Sequence, residues 1–453
     1  MRTNKKIVYV CHCIDTEGPL YESLEATFER LETSIGIKIK PSQENLIKIQ
    51  NQEMDLGGKE KVASLIVDKN LINYNDTWDK LDNMLDEMMS KPYRRKYADS
   101  FGNGLIYNWF ILDHIGYKTN PRRRDIGYHN IYNHYTVKID EHDSYQDEIN
   151  WHFHPMSAYM EAHMCATSFI NSPHLYESLA RAVIDRCWFP SAFRAGFNTE
   201  RPDSHWFLEQ WIPFDFSNQA IELTELDIQQ MDNSDGRFGD WRRARADWAP
   251  YNPSHDDYQA EGSCRRTIFR CLNIGTRIRL LNEDEVDKAF IRADCGTPTI
   301  LAFTNHDFRD MRIDIENAHN LIMKTSKKYP DVRWCNSGAK SAARKVLNIG
   351  NGDGINLTTR FDHKKDSVKI TVETDSDSFG PQPFLAIKTF DNKYMTDNFD
   401  FQIPRRKWTY TFDTNSINFK SVNKIGIATN DINGTTCVEV YDSTGEILQR
   451  RKL

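Results

Sequence analysis

The sequence predicts an α/β domain, built on a parallel sheet or an α/β barrel, followed by a small all-β sandwich. Over roughly the first 345 residues, strand-like and helix-like segments alternate, which is typical of parallel strands joined by helices. Past the glycine-rich stretch at 348–356, short segments alternate apolar and polar residues between turn residues. Twelve of the fourteen histidines lie between His114 and His319, so metal or proton-transfer chemistry is expected in the first domain.

The first domain, expected to span 1–347, begins with the strand "KKIVYVCHCI". The helices "SLEATFERLETSI" and "NDTWDKLDNMLDEMMS" follow, with apolar residues at helical spacing. "INWHFHP" is expected to be a strand stopped by its proline, and "PHLYESLARAVIDRC" a helix with Pro173 near its start. The strand "TPTILAFTN" and the helix "MRIDIENAHNLIMKTSKKY" come last. In α/β barrels the chemistry lies at the carboxyl ends of the strands.

The second domain, expected to span 348–453, shows the period-two pattern of a sandwich. It contains one histidine, His363. Five segments carry the pattern: "SVKITVET", "FLAIKTF", "KWTYTFD", "KIGIATND" and "CVEVYD".

Composition and charge argue against several classes of protein. The 453 residues carry a net charge of −7, and the basic clusters at 122–124 and 242–243 are short and interleaved with acids. We interpret these clusters as solvated surface or ion pairs, not as a nucleic-acid site. No stretch reaches the ~18 apolar residues of a membrane span. The apolar run near the N-terminus is short and followed by acids, which favours a first strand over a signal peptide and hence a cytoplasmic location.

Cysteine usage also fits a cytosolic protein. The nine cysteines are odd in number and irregularly spaced, which is more typical of reduced thiols than of a disulfide framework. Cys11 and Cys13 flank His12 and resemble a metal site superficially. Because they lie inside a predicted strand and lack the usual ligand spacing, we expect core thiols there.

Acidic and histidine pairs occur where strands are expected to end. Asp15 and Glu17 follow the first strand, and in an extended segment both carboxylates point to the same side, which suits a shared water and cation. The pair is also compatible with capping of the helix after it. In "INWHFHP", Asn150, His152 and His154 project to one side, and two imidazoles at that spacing can share a small cation.

Three more residues occupy similar positions, each with a structural alternative. Arg194 in "FRAGFN" could be a buried arginine paired with a carboxylate. Asp215 in "WIPFDFS" could be a cap or turn residue. His306 in "FTNHDFRDM" could be a satisfied structural histidine. The order of the whole set along the chain is more informative than any one member.

That order resembles the NodB-homology polysaccharide deacetylases (carbohydrate esterase family four), metal-dependent amide hydrolases on a distorted, often seven-stranded (β/α) barrel. "IDTEG", "HFHP", "FRAG", "PFDFS" and "FTNHD" can each be aligned with a family motif, over roughly residues 7–340. "DTEGPLYE" and "GYHNIYNHY" are similar to the WalW-like branch, whose members are associated with surface-polysaccharide gene clusters. Two features depart from the pattern. Thr16 separates the two acids, and the family's four-residue histidine spacing would put Asn150 at the first position, with His152 as an extra.

The resemblance implies a metal centre. Glu17 would be one ligand, with His152 and His154 completing a shell of nitrogen and oxygen donors for a divalent metal, Zn²⁺ foremost. Whether Asn150 or His152 takes the first histidine position stays open. One coordination position would be left for water.

The resemblance also implies catalytic roles. Asp15 would be the general base and His306 the acid that protonates the departing amine. Arg194 would orient and tune the base, and Asp215 would do the same for the acid.

The implied reaction is removal of an N-acyl group, acetyl foremost, from an amino sugar or a sugar intermediate of surface-polysaccharide biosynthesis. The partner would be an N-acylated sugar or glycan intermediate, with no nucleic acid and no membrane span; a homo-oligomer stays an open option. Two alternatives remain: a hydrolase of a non-sugar amide or ureide, and a catalytically inactive carbohydrate-binding scaffold. Six aromatic residues could stack on a sugar ring or equally belong to the core: Trp151, Trp206, Trp211, Trp241, Trp248 and Tyr251.

Overall fold

A parallel, closed barrel forms the first part of the protein. The computed structural model describes residues 6–113, 115–125, 130–156, 160–162, 169, 172, 174–231, 239–350 and 354–453. Pro173 and the start of "GYHNIYNHY" lie outside these residues. The strands of the first sheet are β1 (Ile7–Thr16), β2 (Tyr107–Asp113), β3 (Glu148–Phe153), β4 (Ala192–Ala195), β5 (Phe214–Asn218), β6 (Thr267–Asn273), β7 (Thr299–His306) and β8 (Arg333–Asn336).

The order of these strands closes the sheet. Strands β1 to β7 pair in chain order, and β7 returns to pair with β1. The eighth strand pairs with the first half of β1, while β2 pairs with its second half. The predicted barrel is therefore confirmed, as a seven-stranded barrel with one further strand beside β1.

Helices connect the barrel strands. Ser23 caps the first of them, because its side chain accepts a hydrogen bond from Ala26 N at 3.2 Å, so the acidic pair after β1 is not the cap. The helices of the described residues are α1 (Leu24–Ile35), α2 (Gln43–Gln50), α3 (Glu60–Ile66), α4 (Trp78–Met89), α5 (Lys91–Lys96), α6 (Asn130–Glu141), α7 (Leu175–Arg186), α8 (Pro202–Trp211), α9 (Glu225–Ile228), α10 (Glu283–Asp294), α11 (Met311–Ser326) and α12 (Ala339–Val346).

The barrel encloses a packed apolar interior. Cys11 and Cys13 are fully buried in it beside Phe110 and Phe269, which confirms the prediction of core thiols. Strand β1 is buried along nearly its whole length, as expected of a central parallel strand covered on both faces. In the described part of the chain, no helix is both long and apolar enough to cross a membrane.

The C-terminal part is a sandwich of two antiparallel sheets, as predicted. The sandwich strands are β9 (Leu357–His363), β10 (Val368–Thr374), β11 (Phe384–Thr389), β12 (Tyr394–Asp397), β13 (Asp400–Ile403), β14 (Lys407–Phe412), β15 (Val422–Asn430), β16 (Thr436–Asp442) and β17 (Ile447–Lys452). One sheet has the order β13-β14-β10-β9 and the other β12-β11-β15-β16-β17. The last barrel helix ends at Val346 and the first sandwich strand begins at Leu357, and the domain division at 347/348 stays a prediction.

The sandwich packs on helix α7 of the barrel. Val183 of that helix and Phe384 and Val438 of the sandwich belong to one apolar cluster. The Asn430 amide adds polar contacts, because its Nδ2 donates to Pro190 O and to Trp211 O at 2.8 Å each. The apolar core of the protein therefore continues from one part into the other.

Candidate active site

The parallel register brings the predicted site residues to the carboxyl end of the barrel. Strand β1 runs past its apolar stretch to Thr16, so Asp15 lies inside the strand, opposite His306 of β7. His306 is the last residue of β7, one position beyond the strand "TPTILAFTN" predicted from the sequence. On the other side, His152 of β3 is aligned with Arg194 of β4.

Asp15 and Arg194 form a buried, two-point ion pair. Arg194 Nε lies 2.8 Å from Asp15 Oδ1 and Nη2 lies 3.1 Å from Oδ2. Burial alone would raise the pKa of the Asp15 carboxyl, but the Arg194 guanidinium and the neighbouring imidazoles outweigh it and hold that pKa well below its usual range. The carboxylate is therefore ionised, and its orientation is fixed.

Two imidazoles and one carboxylate converge beside this pair. His152 Nε2 and His154 Nε2 lie 2.9 Å apart, and Glu17 Oε1 lies 3.8 Å and 3.4 Å from them, respectively. All three side chains are buried. Together they form one of the groups of potential metal-ligand atoms in the described residues that lie within 4.8 Å of one another.

The donor chemistry of this group fits a divalent metal ion. His152 Nδ1 donates to Arg194 O at 2.9 Å, which leaves the Nε2 lone pair directed at His154, as in many metal-binding histidines. Burial lowers the pKa of both imidazoles to about 3, so both are neutral and able to act as ligands. Two nitrogens and one carboxylate oxygen are the usual protein ligands of catalytic zinc.

The turn after β1 is held so that Glu17 faces this group. Glu17 N and Gly18 N donate to the Asp307 carboxylate at 2.8 Å and 3.0 Å, and Tyr135 Oη donates to the same carboxylate at 2.8 Å. Gly18 has φ +70°, a conformation that favours glycine. The second oxygen of Glu17 pairs with the buried Arg124.

His306 completes the arrangement from the β7 side. Its Nε2 lies 3.9 Å from Asp15 Oδ2 and 3.7 Å from Glu17 Oε1. Burial lowers the pKa of the His306 imidazole well below its ordinary value. Its Nδ1 is buried and has no hydrogen-bond partner among the residues that the structure describes.

Asp215 lies elsewhere. It pairs with the buried Arg266, which also pairs with Glu200 at 3.1 Å and donates to His205 Nδ1 at 2.7 Å. The structure shows no hydrogen bond or ion pair between Asp215 and His306 within its described residues. No direct contact therefore supports the predicted tuning of His306 by Asp215, which stays a prediction.

Asn150 is not part of the converging group either. Asn150 is two residues before His152 on β3, and its side chain is buried. Neither polar atom of its amide has a hydrogen-bond partner among the described residues. The ligand geometry is formed by the His152–His154 pair. Of Asn150 and His152, only His152 lies among the clustered potential ligand atoms, and which of the two corresponds to the family's first histidine stays open.

The converging residues open into a cavity of about 160 Å³. Asp15, Glu17, His152, His154 and His306 line one side of it, and Arg194 lies behind Asp15. The six aromatic residues considered for sugar stacking do not line it. Trp206 is exposed elsewhere, and the other five are buried: Trp151, Trp211, Trp241, Trp248 and Tyr251.

Arginines line much of the rest of the cavity, which the sequence did not suggest. The basic run at 122–124 was interpreted as surface or ion pairs. Ion pairs are indeed present, because Arg122 pairs with Glu22 at 3.3 Å and Arg124 with Glu17. Both side chains nevertheless face the cavity, and no spacing in the sequence signals this.

Comparison with known proteins adds little beyond the residues themselves. No family model matches the chain, and no curated protein does so either. One solved structure, from Parabacteroides distasonis and described as a "putative glycoside hydrolase/deacetylase", aligns with 99% of this chain and 86% of its own, at 8% identity and a TM-score of 0.34. Likeness at that level carries no argument about activity, so the function has to be inferred from the site itself.

Proposed function

We propose that this protein is a metal-dependent hydrolase that removes an N-acyl group, acetyl foremost, from an amino sugar. The observation that carries the proposal is the buried convergence of Glu17, His152 and His154 beside an ionised Asp15. Two neutral imidazole nitrogens 2.9 Å apart next to a carboxylate form a donor set that can share a cation.

Glu17, His152 and His154 would hold the ion, through Oε1 and the two Nε2 atoms. A divalent ion held there would polarise the acyl carbonyl and lower the pKa of a water molecule. Arg124, paired with the other oxygen of Glu17, would hold that side chain in position.

Asp15 accepts the proton of the attacking water. Its pair with Arg194 keeps it ionised at neutral pH, and the two-point contact fixes the carboxylate plane towards the cavity. The same pair makes Asp15 a weak base, so it can act only on a water whose pKa is itself lowered.

His306 passes a proton to the nitrogen as the C–N bond breaks, because an amine does not leave as its anion at neutral pH. Its Nε2, 3.9 Å from Asp15 Oδ2, is close enough for the base and the acid to serve one substrate. Its buried imidazole is neutral in the free protein, so the proton it gives to the nitrogen is the one that Asp15 has taken from the water and passed on to Nε2.

Acetate release from N-acetylglucosamine oligomers, with Zn²⁺ supplied, tests the proposal. Asp15→Asn and His306→Gln should each lower kcat by about 10²–10⁴-fold, the usual contribution of a general base or acid. Arg242→Gln, at a side chain 74% exposed and outside the cavity, is the control and should leave kcat unchanged. Equal activity of Asp15→Asn and the control would contradict the proposed role of the base.

The finer parts of the proposal have separate grounds. The sequence resemblance alone supports a surface-polysaccharide intermediate as substrate and a place in the WalW-like branch. Zinc is supported by the resemblance and by the nitrogen and oxygen donors, and a cytoplasmic location by the cysteine usage. Turnover of formamides or ureides, but not of acetylated sugars, would favour the non-sugar alternative. Glycan binding without turnover would favour the scaffold.

A further inference from the structure

The cavity is unusually basic for a protein of this charge. Five arginines line it against two carboxylates, Asp15 and Glu17, although the whole chain carries a net charge of −7. The excess of positive charge therefore belongs to this cavity and not to the surface in general. The five are Arg30, Arg122, Arg124, Arg277 and Arg309.

Three of these guanidinium groups have carboxylate partners. Arg124 pairs with Glu17, while Arg30 and Arg122 share the Glu22 carboxylate at 2.5 Å and 3.3 Å. One acidic side chain thus serves two arginines, which leaves positive charge at this wall of the cavity.

Of the other two, Arg277 donates to Ser34 Oγ at 2.8 Å and to Gln230 Oε1 at 3.0 Å, whereas the side chain of Arg309 has one hydrogen bond among the described residues. Its Nε donates to Leu71 O at 2.9 Å, and its guanidinium forms no ion pair with any described carboxylate. The group lies over the rings of Phe308 and Tyr74, at 4.9 Å and 5.6 Å from their centroids. Contact with two aromatic faces holds an arginine in place while its Nη groups remain available to a ligand.

Arg309 also lies next to the reacting centre. It is three residues after His306, and its backbone N–H donates to His306 O at 3.3 Å. His306 is the residue proposed to meet the departing amine. A negative group bound by Arg309 would therefore lie on the amine-bearing half of the substrate and not on its acyl group.

We propose that the substrate of this site carries an anionic oxygen group, a phosphate or a carboxylate, on its amine-bearing half, and that Arg309 binds it. This inference rests on the proposed function for the reaction, but the anion site itself does not require a metal. Arginine is suited to both groups, because its planar fork matches two oxygens at once.

Binding of inorganic phosphate and of malonate to the full-length protein tests the anion site. The protein is stripped of metal with a chelator, moved to chelator-free buffer and titrated by calorimetry. Arg309→Gln should weaken binding of the preferred anion about tenfold or more, and Arg242→Gln should bind like the wild type. The anion that binds more tightly identifies the group as phosphate or carboxylate.

Absence of binding by the wild type, or equal affinity in the two variants, would overturn the inference. Thermal unfolding of both variants shows whether Arg309→Gln is still folded. If it is not, Arg309→Lys takes its place, and that variant should retain part of the affinity because it keeps the charge.

Kinetics separate this inference from the proposed function. With N-acetylglucosamine 6-phosphate and N-acetylglucosamine as paired substrates, Arg309→Gln should raise KM for the phosphorylated sugar only. Phosphate binding without turnover of either sugar would refute the hydrolase alone. Turnover with no dependence on Arg309 for either sugar would refute the anion site alone.

Discussion

Replacing Arg194 by Met should destabilise the protein strongly, because it leaves the Asp15 charge buried without a partner. Arg194 is fully buried and donates to both oxygens of Asp15, to Phe216 O at 2.6 Å and to Asn198 Oδ1 at 3.2 Å. Methionine fills part of the same space without the charge. Breaking a buried ion pair from one side costs about 3–5 kcal/mol.

The double variant Arg194→Met/Asp15→Asn isolates the electrostatic part of that cost. With the carboxylate gone there is no uncompensated charge, so the double variant should recover at least about 1.5 kcal/mol relative to Arg194→Met. Urea unfolding at about pH 7, followed by tryptophan fluorescence, gives the free energies of unfolding. Arg242→Met, at an exposed surface pair, is the control and should change the midpoint far less.

The pH dependence should follow from the direction of the Asp15 pKa. In the wild type this pKa is depressed, so the stabilisation it gives is present above the ordinary pKa of an aspartate and is lost as the pH falls through the folded value. In Arg194→Met the guanidinium is gone and only the neighbouring imidazoles oppose the effect of burial, so the pKa of Asp15 rises relative to the wild type and the cost should shrink as the pH is lowered from about 7 towards 5. A single variant within about 0.5 kcal/mol of the wild type, or a double variant no more stable than the single, would refute this reasoning.

Further predictions concern the surroundings of the site. Gly196→Ala should weaken metal binding about tenfold or more, measured by competition with a chromogenic chelator, because a Cβ there would lie 2.6 Å from His154 Cγ and displace the ring. Asn150→Ala should retain the metal and the stability of the wild type in the same assay and in urea, because its buried amide has no described partner. Burial raises the pKa of Asp113 to about 7, so this carboxyl should add about 1 kcal/mol of stability between about pH 8 and about pH 6. Asp113→Asn should reduce the gain of the wild type by that amount in urea titrations.

Most sandwich strands with buried apolar residues were predictable from the sequence, and the fully exposed ones were not. Strands β10, β11, β14, β15 and β16 alternate apolar and polar residues, and each was recognised. Strands β13 and β17 were missed because every residue in them is exposed, so no burial pattern marks them.

The parts of the site whose residues are close together in the sequence were predictable. Glu17 lies two residues after Asp15, and His152 two before His154, so each pair could be assigned to one side of an extended segment. Arg124 could not be found in this way. It contacts Glu17 across more than a hundred residues of chain, from an irregular segment whose basic run resembles ordinary surface.

For Asp215 the residue was recognised from the sequence, but its contacts were not. Its motif and its position at a strand were recognised, but its ion-pair partner is Arg266, which directly precedes β6 and carried no signal of its own. A motif order predicts which strands bear polar residues. It does not predict which of those residues contact each other, because the contacts depend on barrel closure and side-chain length.

Metal content per chain tests the central claim most directly. Protein purified without added metal is analysed by elemental mass spectrometry beside His152→Ala, His154→Ala and Glu17→Gln, with Asn150→Ala as the matched control. About one divalent ion per chain in the wild type and the control, and much less in the other three variants, is the predicted result. No ion in the wild type, and none taken up on reconstitution with Zn²⁺, Mn²⁺, Co²⁺ or Ni²⁺, would contradict the proposed metal centre and the hydrolase built on it.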